Sequence, residues 1–265
     1  MSANRGIPGI VIAPALIGGG LLLLPLIALI GRMNWAALPA TLAAPETGSA
    51  LALSLVTATA ATLCCLLLGV PLAVVLSRTT GWVSVLLRAG VTLPLVLPPL
   101  VGGLALLSLL GRGGVFGNAL ADAGIRIPFT TLAVVIAQTF VALPFLVIAV
   151  EASLRGLTPA YGDAAATLGA SRQTVLFRVT LPLIRPSLIA GTMLCFTRAL
   201  GEFGATALFA GNAAGTTRTV PLAIYTAFNG AGVTQDTALT LSLILIAIAI
   251  AALAVVQGRA ASRTL

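Results

Sequence analysis

The amino-acid sequence predicts an all-α integral membrane protein with six transmembrane helices and a structured cytoplasmic insert between the fourth and fifth. Of its 265 residues, 59% are hydrophobic and only 8% are charged, and the mean hydropathy is +1.14. Because a soluble domain typically carries about a quarter charged residues, this chain cannot cover a water-facing surface. We therefore expect one transmembrane domain over residues 1–265, with no room for a separate soluble domain.

Six apolar stretches are each long enough to cross a bilayer, which takes roughly 20 helical residues. In lipid the backbone must satisfy its own hydrogen bonds, so these stretches are predicted to be helices and not β-barrel strands. The predicted spans are Ile7–Ile30, Leu51–Leu76, Leu86–Leu110, Phe129–Leu154, Leu183–Ala210 and Thr237–Val256. The first is longer than the apolar part of a signal peptide, so we expect it to be retained.

The placement of arginine predicts the orientation of these spans. If the N-terminus lies inside, nine arginines fall in inner segments and four in outer segments, as the positive-inside rule requires. The inner set is Arg5, Arg78, Arg88, Arg155, Arg172, Arg178, Arg185, Arg259 and Arg263, and the outer set is Arg32, Arg112, Arg126 and Arg218. Both termini are then cytoplasmic in a multi-pass protein of the cell membrane. Contact with membrane lipid explains the net charge of +8, and no nucleic-acid partner is needed.

The composition also excludes several kinds of chemistry. The chain contains no His and no Lys, which rules out imidazole catalysis, His metal ligation and Schiff bases. A Walker A loop needs its lysine, so this chain cannot bind ATP in that way. Cys64, Cys65 and Cys195 lie in apolar runs without metal-site or disulfide spacing. We expect no catalytic residue, no metal site and no cofactor in the chain itself.

Two segments of the chain resemble each other. Val91–Gly103 and Val179–Gly191 share eight identities in thirteen positions, and both enter the membrane from the cytoplasmic side in the predicted topology. The similarity indicates either a parallel internal repeat or chance likeness between two Leu- and Pro-rich membrane entries.

The segment at about residues 155–182 is a mildly polar insert between apolar spans. Asp163 and the alanines after it favour a short helix, and Gly169 suits a left-handed cap at its end. Ser171 is placed to begin a second helix through Arg178, which we expect to end at Leu181-Pro182. The insert is therefore predicted to be a helix–turn–helix at the inner membrane face, suited to contact another protein.

The insert resembles the cytoplasmic coupling motif of ABC importer permeases. The matching positions are Asp163, Ala164, Ala165, Gly169, Val179, Leu181 and Pro182. Asp163 replaces the usual Glu and Val179 the usual Ile, and both changes are conservative. The resemblance implies that these residues dock into a separate P-loop ATPase subunit, which would hold the ATP and its Mg²⁺.

The predicted fifth span carries two charged residues inside the membrane, where burying a charge costs free energy. Arg198 and Glu202 are four residues apart and would share one helix face, which Ser187, Gly191, Cys195 and Thr206 extend. Such a stripe is expected to face the bundle interior or a water-filled cavity. We interpret Ser187, Arg198, Glu202 and Thr206 as the lining of a translocation pathway, with a purely structural ion pair as the alternative. One arginine among hydroxyl and small residues suits an oxyanion held loosely.

The C-terminal third resembles one branch of these permeases. Thr197–Asn212, TRALGEFGATALFAGN, and Thr216–Phe228, TTRTVPLAIYTAF, are similar to the molybdate (tungstate) permeases within the sulfate/molybdate oxyanion importers. The resemblance implies a homodimeric permease with two copies of a P-loop ATPase and a soluble oxyanion-binding protein. Molybdate or tungstate is the expected cargo.

Two other interpretations remain open from the sequence. The GEFG core is shared with sulfate permeases, so a sulfate or thiosulfate importer permease is the first alternative. A stand-alone secondary anion transporter or channel would also explain charges inside the membrane. An intramembrane enzyme has little support, because the spans contain no acid pair, Ser/Lys dyad or metal cluster.

Overall fold

Residues 9–230 and 235–261 are described by a computed structural model, and the regular secondary structure in these ranges is helical. The described ranges contain α1 Gly9–Gly31, α2 Leu38–Ala43, α3 Pro45–Arg78, α4 Gly81–Val96, α5 Pro99–Leu110, α6 Gly117–Asp122, α7 Thr131–Arg155, α8 Ala160–Thr167, α9 Arg172–Val175, a π-helical turn Leu176–Thr180, α10 Leu181–Leu183, α11 Arg185–Leu200, α12 Gly204–Phe209, α13 Val220–Phe228 and α14 Gln235–Ala261. Four of these helices are long and apolar enough to cross a membrane, and two bent helix pairs raise the number to as many as six.

The four long apolar helices α1, α3, α7 and α14 confirm four of the predicted spans. Helix α3 has 34 residues and begins with a proline, which suits the first turn of a helix because no N–H donor is needed there. Helix α7 begins after Thr130, whose hydroxyl oxygen accepts a hydrogen bond from the Ala133 N–H. The predicted start of the first span at Ile7 lies outside the described residues.

The prediction of one continuous helix over Leu86–Leu110 is wrong. Helix α4 ends at Val96, α5 begins at Pro99, and the two axes are bent by 117°. Pro98 and Pro99 supply no N–H donors, and each proline forces the residue before it out of the helical region. Leu97 and Pro98 accordingly have ψ angles of 135° and 136°.

The prediction of one continuous helix over Leu183–Ala210 is also wrong, because this stretch is interrupted twice. The helical run that starts at Arg172 ends at Leu183, and α11 leaves it at an angle of 72°. Helix α11 ends at Leu200, and residues 201–203 separate it from the short helix α12. A glycine on each side of this second break, Gly201 and Gly204, removes the side chains that would stabilise a continuous helix.

Helix α7 is the centre of the bundle. One buried cluster joins it to α3 and α11, through residues such as Cys65, Leu146 and Cys195. A second cluster joins it to α5 and α12, through residues such as Leu106 and Phe209. Helix α1, in contrast, keeps its apolar side chains exposed, as expected for a helix that faces lipid.

The bent pair α4–α5 follows α7 along its length. Arg88 of α4 contacts Glu151, one turn before the end of α7. A side chain at Gly102 of α5 would meet the Phe140 ring near the middle of α7. Leu106 shares a buried cluster with Ala133, close to the start of α7. The pair therefore runs from one end of the central helix to the other.

Candidate functional site

The insert at about residues 155–182 forms the predicted short helix and turn. Helix α8 ends at Thr167, and Gly169 has a φ of +83°, in the left-handed region that favours glycine. The Gly169 N–H donates to the Ala166 carbonyl at 2.9 Å, and the Ala170 N–H donates to the Ala165 carbonyl at 3.0 Å. These two bonds form a Schellman cap, which explains why the sequence identified the end of the helix correctly.

The second helix of the insert begins as predicted but ends later. The Ser171 side chain accepts a hydrogen bond from the Thr174 N–H at 3.2 Å, which is the expected N-cap. The prediction that Leu181-Pro182 ends this helix is wrong, because the helical run continues to Leu183. The π-helical turn before Pro182 widens the helix where the proline ring would otherwise clash with the preceding turn.

The coupling-motif residues lie at the surface of the insert. Asp163, Ala164, Gly169 and Pro182 are exposed. The remaining motif residues are half-buried, and they are Ala165, Val179 and Leu181. Helix α8 contains no buried residue, and the insert exposes Leu168 (88%) and Phe177 (65%). Exposed apolar side chains of this size indicate a protein contact surface, because the packing of α8 against α9 and the π-helical turn leaves them uncovered.

Arg198 and Glu202 form an ion pair at the break between α11 and α12. Arg198 Nη2 lies 2.6 Å from Glu202 Oε2, and Glu202 is 1% exposed. The other carboxylate oxygen, Oε1, accepts a hydrogen bond from the Ala205 N–H at 2.8 Å. Glu202 therefore satisfies the first turn of α12 and holds Arg198 at the same time.

Arg198 lines two cavities that meet the break in the α4–α5 pair. One cavity of about 150 Å³ lies between Arg198, the Pro94–Pro99 region and the Phe140 and Phe145 rings. The other, of about 280 Å³, is lined by Arg198, Glu202, Pro99 and Leu100. Sequence reasoning missed the Pro98-Pro99 wall, although two adjacent prolines inside an apolar run are a clear signal for a broken helix.

Part of the predicted stripe is packed into the core instead. Gly191 and Cys195 are buried, and a side chain at Gly191 would come within 3.2 Å of Leu146 on α7. Ser187 is half-buried on the same helix. Thr206 belongs to the separate helix α12, so the prediction of one continuous polar face is wrong. Of the predicted pathway residues, Arg198 and Glu202 reach the cavities.

Two of the buried polar side chains that lack partners among the described residues lie on α7 and α12. The Thr206 hydroxyl on α12 is fully buried without a hydrogen bond, and so are both amide atoms of Gln138 on α7. Helices α7 and α12 contact each other. Buried groups of this kind are normally paired, so they mark a place where water or a passing polar solute has a physical reason to enter.

A larger cavity lies at the end of the chain's bundle opposite the insert, between α5 and the start of α7. It measures about 550 Å³ and is lined by the end of α5, by α6 and by the residues just before α7, and its lining includes Arg112, Arg126 and Phe129. Neither arginine forms an ion pair within residues 9–230 and 235–261. Phe129 has a φ of +63° and is 63% exposed. A strained, exposed aromatic residue beside two unpaired guanidinium groups is unusual for a purely structural loop.

Comparison with known proteins places these features in a family context. A family model described as the binding-protein-dependent transport system inner membrane component matches residues 66–263. The chain is 48% identical over 225 residues to the molybdenum transport system permease protein ModB of Mycobacterium bovis, covering 85% of each chain. It is 35% identical over 234 residues to the sulfate transport system permease protein CysT of Escherichia coli, covering 85% of this chain and 83% of the relative.

A solved structure shares the fold. The bacterial alginate ABC transporter, in complex with an alginate pentasaccharide-bound periplasmic protein, matches with a TM-score of 0.70 at 18% identity. The match covers 94% of this chain and 90% of that chain. At this identity the likeness supports the helical arrangement alone.

Proposed function

The chain belongs to the family of binding-protein-dependent transport system inner membrane components, and from this membership we propose that it is the permease subunit of an ATP-driven molybdate importer. The protein is a transport subunit and not an enzyme. The observation that carries the cargo assignment is the 48% identity to a molybdenum transport permease over 85% of the chain. Tungstate, an oxyanion of the same shape and charge, is included in the proposal.

The proposed pathway passes the Arg198–Glu202 pair. Glu202 compensates the positive charge of Arg198, so a molybdate dianion would meet hydrogen-bond donors but no unpaired positive charge. Such contacts are weak enough for the anion to be released again. Leu100 lies in the first turn of α5, where backbone N–H groups lack acceptors within the helix. Thr206 adds a buried hydroxyl, and Ser187 lies toward the cytoplasmic start of α11.

The coupling insert is the proposed contact with the ATPase. A chain without lysine has no Walker A loop, so ATP and its Mg²⁺ belong on a separate P-loop subunit. The exposed residues Asp163, Ala164 and Gly169, with Leu168 between them, form a thin surface suited to a cleft. The proposed assembly contains two permease copies and two ATPase copies, with the pathway between the permeases.

Both bent pairs are proposed to be complete crossings, which makes six spans with both termini cytoplasmic. The α4–α5 pair supports this proposal because it follows α7 from end to end. The positive-inside pattern then places the coupling insert on the cytoplasmic side.

The outer cavity is the proposed contact for a soluble oxyanion-binding protein. Arg112 and Arg126 carry uncompensated positive charge, and Val115, Phe116 and Phe129 add exposed apolar surface around them. Arginine and aromatic residues are enriched at protein interfaces, and this charge favours an acidic partner surface.

Uptake by reconstituted liposomes tests the proposal. The chain is purified with its co-purifying ATPase, and molybdate uptake is measured with ATP inside the liposomes and the binding protein outside. We expect ATP-dependent uptake that an equal concentration of sulfate does not suppress. Arg198→Ala should lower uptake at least tenfold, because the cavities lose their principal donor. Arg32→Ala, at the outer end of α1 and away from both cavities, is the matched control and should transport normally.

Two alternatives are separated by the same assay. The 35% identity to a sulfate permease supports sulfate import, which would show as uptake of labelled sulfate that exceeds molybdate. Uptake that persists without the ATPase would identify a secondary transporter and would overturn the proposed function.

A further inference from the structure

A group of three charged side chains lies between the coupling insert and the proposed pathway. Glu151, on the last turns of α7, is buried, with its side chain 11% exposed. Its Oε1 atom accepts hydrogen bonds from Arg88 Nε at 2.8 Å and from Arg155 Nε at 2.9 Å. Arg88 belongs to α4 and Arg155 ends α7, so one carboxylate oxygen joins two helices.

The same group reaches a third helix. Arg155 Nη2 donates to the Leu76 carbonyl at 2.7 Å and to the Thr79 carbonyl at 3.4 Å. These carbonyls lie at the end of α3, where a helix leaves its last carbonyl oxygens without intrahelical donors. Glu151 therefore fixes the Arg155 side chain that caps α3, and the middle of α4 meets the ends of α3 and α7 at one point.

The position of this group connects the two functional regions. Arg155 is the last residue of α7, and α8 of the coupling insert begins at Ala160. At the C-terminal end of α4, Pro94, Leu95 and Leu97 form a wall of the cavity that Arg198 lines. The Arg88–Glu151 bond thus joins the end of α7 beside the insert to the helix that forms this wall.

We propose that Glu151, with Arg88 and Arg155, is a positioning group that couples movement of the cytoplasmic insert to the α4 wall of the anion pathway. This proposal rests on the proposed function of the chain as an ATP-driven permease. It assigns a transmission role to a residue that touches neither the ATPase surface nor the cavities. Its physical basis is that charge-assisted bonds with defined geometry hold the middle of α4 and the ends of α3 and α7 in one arrangement.

The test measures uptake and ATP hydrolysis in the same reconstituted complex. For Glu151→Gln, which loses the charge but keeps the shape, we expect the ATPase subunit to co-purify and to hydrolyse ATP within twofold of wild type. Molybdate taken up per ATP hydrolysed should fall about tenfold. Arg78→Gln removes a cytoplasmic arginine that forms no ion pair in the described part of the chain, and it should leave this ratio unchanged.

A second variant covers the case in which Glu151→Gln does not fold. Arg88→Gln leaves Glu151 paired with Arg155, and the Arg88 side chain is 41% exposed, so the fold should survive. Its uptake per ATP should also fall, and Arg88→Lys, which restores the charge, should recover most of it.

The outcomes that overturn the proposal are distinct. If uptake and ATP hydrolysis fall in parallel, or only the melting temperature falls, the group is merely structural. If both variants keep the wild-type ratio, the group has no role in coupling. If the wild-type complex shows no ATP-driven anion uptake at all, the proposed function fails and this proposal fails with it.

Discussion

Single side chains decide where the predicted fifth span breaks. Glu202 uses both carboxylate oxygens, one on Arg198 and one on the Ala205 N–H. In a continuous helix the Ala205 N–H would donate to a backbone carbonyl one turn earlier. The buried Glu202 Oε1 atom would then lose its hydrogen bond. The residue that looked like part of a polar helix face is therefore the residue that ends one helix and starts the next.

Close approach of α5 and α12 depends on two glycines. A Cβ atom added at Gly204 would lie 2.5 Å from Pro99 Cβ, and one added at Gly103 would lie 2.9 Å from the Ala205 carbonyl oxygen. These contacts involve backbone and a proline ring, which cannot move aside as a flexible side-chain end would. The Pro98-Pro99 wall is held beside Arg198 by this contact.

Gly204→Ala is therefore expected to destabilise the protein and to reduce uptake. Overpacking of a tight contact costs about 1–3 kcal/mol. The melting temperature in detergent and molybdate uptake in liposomes measure the two effects. Gly201→Ala is the matched control, because its added methyl would meet only the Thr197 carbonyl oxygen at 3.5 Å. Equal melting temperatures for the two variants would contradict the packing explanation.

At the scale of elements, the two similar segments of sequence each contain a helix bend, of 117° in the first and 72° in the second. Val91–Gly103 contains the break between α4 and α5, and Val179–Gly191 contains the bend at Ile184 between α10 and α11. Each break falls just before a proline that is followed by a helix. The common bend supports an internal repeat, because chance likeness of composition does not require the same local geometry.

The cap of α8 gives a prediction for the coupling insert. Gly169 has open space around it, so a substitution there acts through the backbone alone. A β-branched residue in the left-handed region costs about 1–2 kcal/mol, so Gly169→Val should disturb the turn. We expect normal membrane insertion but loss of ATPase co-purification and of uptake.

The control for this variant lies on the same helix. Gly162→Ala meets only Val175 Cγ1 at 3.8 Å and has an ordinary backbone conformation, so it should couple normally. Normal molybdate uptake by Gly169→Val would remove the main support for docking through the insert.

At the scale of the whole molecule, the bent α4–α5 pair decides the topology. With the N-terminus inside, a pair that crosses the membrane once places α6 outside and the insert inside. If the pair were a re-entrant loop, α6 would lie inside and the insert outside. The run of the pair along α7 favours the crossing.

Labelling of single cysteines measures this topology. In a variant with Cys64, Cys65 and Cys195 replaced by Ala, we expect Asn118→Cys on α6 to react with a membrane-impermeant maleimide from outside. Ala166→Cys on α8 should react only after the cytoplasmic side is opened. Both positions are exposed, so lack of reaction reports the side of the membrane and not burial. The reverse labelling pattern would contradict the six-span arrangement.

Some features of the candidate site were predictable from the sequence and others were not. The cap at Gly169 and the N-cap at Ser171 were predictable because each depends on the residue type and its immediate neighbours. The Glu151–Arg88 ion pair was not predictable, because the two residues lie 63 positions apart in the chain. Gly191 and Cys195 were placed on the same polar face as Arg198 because the sequence shows which residues share a helix face but not what that face meets.

The sequence by itself determined that this chain is a helical membrane protein with a helix–turn–helix insert, because hydropathy and turn chemistry are local properties. Its motifs also identified the family. Only the tertiary structure decided where the two bent spans break, which side of α11 faces the core, and how one buried carboxylate joins three helices. Those features depend on contacts between residues far apart in the chain, whose geometry exists only once the helices have packed.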